Sequence, residues 1–204
     1  LRDAGRTASP IAQASVNLQA PTLTLTASSF GTAVSPLIIG GGSSSQQTTL
    51  TATATAGTDS VLAFGSKGST PVLLSNLSVN GAPTAGMVWL SGDGFASVTG
   101  TTSVISASSL VLDGINGMGT AAAPLRTSVS TLAGSVGSNG LFLANSGALS
   151  IDSVTDRTGT RTYTGLSTAG TSTLTTTSGG LTITRAINAT AGNLTLGANT
   201  NLLI

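Results

Sequence analysis

The stretch that decides the fold is residues 109–125, SLVLDGINGMGTAAAPL. It opens with a strand-like run in which Leu110 and Leu112 occupy alternate positions, and it then passes through several glycines. Its second half, Met118–Leu125 (MGTAAAPL), repeats the earlier segment Phe30–Leu37 (FGTAVSPL). Internal repetition is typical of stacked architectures, and a spacing of about 88 residues predicts roughly four coils of about 20–25 residues each.

Short runs with the same alternation recur along the chain. In each run an aliphatic residue or alanine occupies every second position, and the positions between carry mostly threonine or serine. The clearest runs are Thr22–Thr26, Leu50–Thr55, Asn76–Val79, Leu110–Leu112, Gly140–Leu143, Ala148–Ile151, Leu181–Thr184 and Asn193–Leu196. A period of two places the apolar side chains on one face of a strand, and no segment shows a sustained helical period. We therefore expect an all-β protein.

Two all-β architectures compete for this pattern. A hairpin-linked sandwich favours Asn-Gly turns, which Asn80–Gly81, Asn116–Gly117 and Asn139–Gly140 would supply. A solenoid needs internal repeats and small residues at the corners of its coils. Because the repeat favours the solenoid, we predict a parallel β-helix that occupies residues 1–204 as a single segment. About eight to ten coils stacked at ~4.8 Å would form a rod roughly 40–50 Å long.

The composition excludes several classes of protein. Only 6% of the 204 residues are charged, against about a quarter in an ordinary domain, and the net charge is +1. Nucleic-acid binding needs many Lys and Arg residues. The absence of cysteine and histidine removes thiolate nucleophiles, the commonest general base and the commonest metal ligands. No apolar run approaches the ~20 residues of a membrane-spanning helix. We therefore expect no enzyme activity, no cofactor or metal, no nucleic acid and no membrane span.

Residues 109–151 resemble the repeat region of large bacterial exoproteins of the filamentous-haemagglutinin type, which are secreted by type V routes. The shared elements are a strand, Gly-Thr-x-x-x-Pro-Leu at residues 119–125, a Leu-Ala step at 132–133 and Asn-x-Gly-x-Leu-x-Ile at 145–151. With the earlier copy, the resemblance extends over residues 15–151. It implies a right-handed parallel β-helix on the surface of a Gram-negative bacterium or secreted from it. The implied role is the non-catalytic shaft of an adhesin or fibre that supports adhesion or biofilm formation.

The same resemblance implies particular partners. They are an outer-membrane translocator and carbohydrate of the host cell or matrix. The residues Leu202–Ile204 indicate a strand without a polar cap, and the open end of a solenoid exposes unpaired strand edges. We therefore expect this segment to belong to a longer chain or to stack end to end with other copies into a filament. The low charge leaves little repulsion against such association.

One charged stretch offers an alternative function. Asp152, Asp156, Arg157 and Arg161 stand close together, and Arg185 follows. The simplest interpretation is a solvated loop with local Asp–Arg pairs. The alternative is a ligand-binding site for an acidic sugar or a cation, in a solenoid that binds or cleaves polysaccharide with its paired carboxylates.

Threonine arrays suggest a second, weaker alternative. Ice-binding solenoids display Thr-x-Thr ladders on one flat face, and this chain has such arrays at Thr22/Thr24/Thr26, Thr51/Thr53/Thr55, Thr173/Thr175 and Thr182/Thr184. Their spacing along the chain is irregular. We therefore expect these threonines to be ordinary outward residues of half-buried strands rather than one aligned face.

Overall fold

The computed structural model describes residues 17–40, 47–55, 60–68, 70–79, 86–100 and 105–204. These residues form strands and turns and no helix, which confirms the all-β prediction. The strands are β1 (Thr22–Ala27), β2 (Leu37–Gly40), β3 (Thr49–Ala54), β4 (Val61–Lys67), β5 (Val72–Val79), β6 (Met87–Ser97), β7 (Ile105–Ser106), β8 (Ser109–Met118), β9 (Leu125–Ser128), β10 (Thr131–Val136), β11 (Gly140–Asn145), β12 (Leu149–Ile151), β13 (Ser153–Thr155), β14 (Thr162–Thr164), β15 (Leu166–Thr168), β16 (Ser172–Thr176), β17 (Leu181–Ile183), β18 (Ile187–Ala189), β19 (Leu194–Gly197) and β20 (Leu202–Leu203).

The strands stack in parallel as a β-solenoid of about seven coils. The first stack consists of β1, β3, β5, β7, β9, β11, β16 and β19. The second stack consists of β2, β4, β6, β8, β10, β12, β15, β17, β18 and β20. The ends of β6 and β8 continue around a corner towards the first stack. Backbone hydrogen bonds between coils therefore run along the axis of the solenoid.

The Asn-Gly pairs are corners of this solenoid and not hairpin turns. Asn116–Gly117 lies within β8, and Asn139–Gly140 leads into β11 in the next coil. The backbone N–H of Asn139 donates to the carbonyl oxygen of Asn116 at 2.8 Å, so the two pairs stack on each other. Asn80–Gly81 lies outside the described residues. The parallel pairing of the flanking strands excludes the sandwich for the described chain.

The two stacks enclose one continuous apolar core. On the second stack, successive coils place Leu62, Val88, Leu110, Leu132 and Ile151 directly above one another, and all five are fully buried. Burial of each such side chain contributes about 1.5–3 kcal/mol. The alternation in the sequence produces this core, because a period of two turns every second side chain inward in every coil.

Asn145 is among the polar residues that the solenoid buries. Asn145 has no exposed surface, and its side-chain oxygen accepts hydrogen bonds from the Thr127 hydroxyl at 2.8 Å and from the Val129 N–H at 3.0 Å. Its amide nitrogen donates to the carbonyl oxygens of Val129, Gly147 and Ala148 at 3.0, 3.2 and 3.4 Å. The Asn145 side chain therefore provides hydrogen-bond partners for backbone groups where the chain bends after β11.

The coils differ in length. The N–H of Val61 donates to the Ser29 hydroxyl of the preceding coil, 32 residues earlier, whereas the Ser108 hydroxyl reaches the Gly86 carbonyl over only 22 residues. A hairpin insertion lengthens a later coil as well. The number of coils therefore does not follow from a uniform length, and the described residues form about seven. At ~4.8 Å per coil, the rod is about 30–35 Å long.

The first copy of the repeat forms a loop that leaves a strand and rejoins it. Phe30 pairs with Leu62 of the next coil, and Leu37 pairs with Phe64. Residues 31–36 therefore occupy the place of a single outward-facing residue. We call residues 31–36 the first loop.

The second copy forms the same kind of loop in the other stack. Met118 pairs with Leu141, and Leu125 pairs with Leu143, so residues 119–124 again replace one outward residue.

Both loops have the same internal geometry. Each begins with a glycine of positive φ, 59° at Gly31 and 73° at Gly119. The hydroxyls of Thr32 and Thr120 then each accept the backbone N–H three residues later, at 3.0 and 2.9 Å. Because the two copies lie in different stacks, their separation is not a whole number of coils. The prediction that it spans four coils is wrong, and the repeated unit is a loop motif.

Candidate functional site

The charged stretch forms a β-hairpin that is inserted into a coil. Its strands β13 and β14 pair antiparallel, unlike every other strand pair of the described residues. β12 and β15 pair with successive parts of β10, Ile151 with Leu132 and Leu166 with Gly134. The hairpin is inserted between these two strands. The hairpin thus replaces one outward residue, at the position that Ala133 occupies in the preceding coil.

Asp156 folds the tip of the hairpin. Its carboxylate accepts the N–H groups of Thr160 and Arg161 at 2.8 and 3.2 Å and the hydroxyls of Thr158 and Thr160 at 2.7 and 2.9 Å. Burial alone would raise the pKa of Asp156, but these donors hold the pKa below its ordinary value of 3.8. The four hydrogen bonds occupy the carboxylate, so its role in the structure is to shape the turn.

Arg161 reaches from the hairpin back to earlier coils. Its Nη1 donates to the carbonyl oxygen of Ala33 in the first loop at 3.0 Å, and its Nη2 donates to Asp113 Oδ2 at 3.2 Å and to the Tyr163 hydroxyl oxygen at 3.1 Å. Its guanidinium carbon also lies 5.5 Å from the centre of the Trp89 ring, which is a cation–π distance. Arg161 is therefore committed to contacts within the protein.

The remaining candidates do not converge with these two. Asp152 Oδ1 lies 3.5 Å from Arg185 Nε, and both side chains are about half exposed. Arg157 is exposed at the hairpin tip. An exposed ion pair of this kind contributes less than about 1 kcal/mol. The hairpin thus gathers the four predicted residues on one segment, while Asp152, Asp156 and Arg161 each serve a different structural partner.

Sequence reasoning missed a second hydrophobic cluster, which lies outside the solenoid core and under the hairpin. We call it the outer cluster. Its members are Ala33, Ala63, Met87, Trp89, Val111, Ala133 and Val154, with Val61 and Tyr163 at its margin. Trp89 is fully buried there, and its ring centre lies 5.3 Å from that of Tyr163 in an edge-to-face arrangement. Among the described residues, its indole N–H has no hydrogen-bond partner.

A signal for this cluster was present in the sequence. At Leu62–Phe64, Val88–Leu90 and Leu110–Leu112 the residue between the two alternate apolar positions is itself apolar, so three apolar residues are consecutive. A continuous apolar run is typical of a strand that is covered on both faces. These runs therefore mark where the hairpin covers the sheet, although they do not show which segment covers it.

The electrostatics of the outer cluster involve a tyrosine. Burial, together with the nearby carboxylate of Asp113, raises the pKa of Tyr163 to about 12, although the charge of Arg161 opposes the rise. The neutral phenol is therefore the form that the hairpin stabilises.

The threonine arrays are more regular than expected at one end of the solenoid. Thr22–Thr26 lies directly over Thr49–Thr53 in exact residue register. In the third coil the equivalent positions are Leu73, Asn76 and Ser78, so the ladder of three threonines is two coils deep. β16 carries its threonines in the same stack, whereas those of β17 belong to the other stack.

Comparison with known proteins adds no family to this description. No protein-family model, no curated protein and no solved structure matches the chain. Within the described residues, no three Asp, Glu, His or Cys side chains come together as a metal site would require. The same part of the chain has no helix of the length and hydropathy needed to cross a membrane.

Proposed function

We propose that this chain is a non-catalytic segment of the shaft of a secreted bacterial surface adhesin or extracellular fibre. The observation that carries the proposal is the continuous apolar core, which extends from Leu25 in β1 to Leu181 in β17. Side chains in the candidate hairpin are used for folding and packing, which also supports a mechanical role. Each coil supports the next through backbone hydrogen bonds and core contacts, so the architecture suits a stiff spacer.

The last coil offers a surface for further stacking. β18, β19 and β20 each pair with a strand of the preceding coil, and their other edges have no strand partner among the described residues. Leu174 is fully buried, whereas Leu196, which lies next to it in the last coil, is only partly buried. Such an edge accepts a parallel strand. We propose that another coil, from the same chain or from a second copy, stacks on it to lengthen the fibre.

The proposed location and partners follow from the resemblance to filamentous-haemagglutinin-type exoproteins. Secretion would use an outer-membrane translocator, and the fibre would meet carbohydrate of the host or matrix at the cell surface of a Gram-negative bacterium. Labelling intact and permeabilised source cells with an antibody against the chain tests this part. Labelling of intact cells is expected, and labelling that requires permeabilisation would contradict an extracellular shaft.

Stacking is tested by analytical ultracentrifugation and electron microscopy over a range of protein concentrations. We expect rods that lengthen with concentration, and we expect Leu202→Asp to shorten them, because Leu202 pairs with the buried core residue Leu181 and its substitution places a charge over the open core. Leu202 is 45% exposed, and Ile115 is 68% exposed on a different part of the molecule. Ile115→Asp is therefore the matched control and should leave assembly unchanged. Equal effects of the two substitutions would argue against stacking through the last coil.

A further inference from the structure

A row of apolar side chains runs along the outside of the solenoid, parallel to its axis. Ala63 pairs with Trp89, Trp89 pairs with Val111, and Val111 pairs with Ala133 in successive coils. The first loop occupies the same row position in the coil before Ala63. The hairpin occupies it in the coil after Ala133. The row is therefore bounded at both ends by inserted segments.

The two inserted segments meet over this row. The bond from Arg161 Nη1 to the carbonyl oxygen of Ala33 joins residues that are 128 positions apart in the chain. Val154 of the hairpin and Ala33 of the first loop belong to the same outer cluster. The ion pair between Arg161 and Asp113 adds an anchor in an intermediate coil. The hairpin thus spans five coil spacings, or about 24 Å.

These contacts are unusual for a solenoid, because each coil normally contacts only its neighbours and the ends can open separately. We propose that the hairpin and the first loop form an axial clamp, which couples the coil of Phe30 to the coil of Ile151 so that the coils between them open as one unit. The clamp does not depend on the proposed function, since it concerns the opening of the isolated chain. The coils that follow the hairpin, from β16 onward, lie outside it.

The protein contains its own probe for the clamp. Trp89 is the single tryptophan of the sequence, and it lies beneath Tyr163 and Arg161 of the hairpin. Tryptophan fluorescence therefore reports whether the hairpin covers the outer cluster, whereas far-UV circular dichroism reports the strands of the whole solenoid.

The experiment is urea unfolding of the 204-residue chain, followed by both signals. In the wild type we expect the two transitions to coincide, as they do for one cooperative unit. Arg161→Ala should lower the urea midpoint of the fluorescence transition. The dichroism midpoint should either fall by the same amount or stay at a higher urea concentration. Arg126→Ala removes a guanidinium from β9 in the other stack and should leave both midpoints unchanged. Arg161→Lys serves as a milder variant if Arg161→Ala does not fold, because lysine keeps the charge but lacks the planar fork that joins two acceptors.

Hydrogen exchange measures the reach of the clamp. In Arg161→Ala we expect exchange to become about tenfold faster both in the hairpin and at the hydrogen-bonded amides of Thr32 and Ser35 in the first loop, with no change in β19 and β20. Three results would overturn the clamp. They are a wild-type fluorescence transition that precedes the dichroism transition, identical behaviour of Arg161→Ala and Arg126→Ala, and an exchange effect confined to the hairpin.

Discussion

The buried amide of Asn145 allows the sharpest test of how the solenoid is stabilised. In Asn145→Ala, the hydroxyl of Thr127 loses its acceptor, and the N–H and carbonyl of Val129 both lose their partner. Each buried polar group left unsatisfied costs about 1–3 kcal/mol. The carbonyl groups of Gly147 and Ala148 lie nearer the surface, where water can replace the amide. The expected loss is therefore about 3–5 kcal/mol in the free energy of unfolding.

Such a loss is readily measured by urea or thermal unfolding. For a protein of this size, each kcal/mol lowers Tm by about 2–4 °C, so we expect a decrease of about 6–20 °C. Asn139→Ala is the matched control, because Asn139 lies exposed at a corner and its hydrogen bond to Asn116 uses the backbone N–H. A loss below about 1 kcal/mol in Asn145→Ala, or one equal to that of the control, would refute the argument that the Asn145 amide stabilises the bend through its hydrogen bonds to buried polar groups.

Further predictions concern the hairpin and the loops. The folded state favours the neutral phenol of Tyr163, so the contribution of this group to the free energy of unfolding is complete below pH 10 and is lost as the pH rises towards 12. An alkaline titration of Trp89 fluorescence should show this loss, and Tyr163→Phe should reduce it. Because the pKa of Asp156 is lowered in the folded state, its contribution to the free energy of unfolding is present above pH 3.8 and disappears as the pH falls through the lower folded value. Acid unfolding of Asp156→Asn against wild type checks this, and identical acid profiles would contradict it. Gly119→Ala should destabilise by about 2–4 kcal/mol, because a Cβ there would overlap a strand carbonyl at positive φ; Gly159→Ala, with similar φ but open space, should cost about 1 kcal/mol in denaturant unfolding. In a binding assay with an acidic polysaccharide, we expect neither wild type nor the double variant Asp152→Ala/Asp156→Ala to bind. Binding by wild type that the double variant loses would instead support the polysaccharide-binding alternative.

The class of fold could be predicted because it depends on local pattern. Alternation of aliphatic and hydroxyl residues produces two-faced strands wherever it occurs, and small residues at Asn116–Gly117 and Asn139–Gly140 provide the corners. The number of coils could not be predicted as well. A loop or hairpin that replaces a single outward residue changes the length of a coil without changing the pattern of the strands on either side.

The candidate site shows the same division. Proximity in the sequence places Asp152, Asp156, Arg157 and Arg161 on one segment. Their partners lie far away in sequence, with Asp113 in β8 and Ala33 in the first loop, and no local rule connects them. The unbroken apolar run Val88–Leu90 indicates that something covers the sheet. Only the folded-back hairpin identifies what covers it.

By itself, the sequence determined that this protein is all-β, that its coils have an apolar side and a hydroxyl side, and that few charged groups are available for chemistry. These properties follow from residue types and from a period of two, which act over a few residues. The tertiary structure decided which coils lie next to each other, that the repeated motif marks loops and not coils, and that Trp89 is buried beneath the hairpin. Those outcomes depend on contacts between segments that are distant in the chain, because stacking in register is what brings them together.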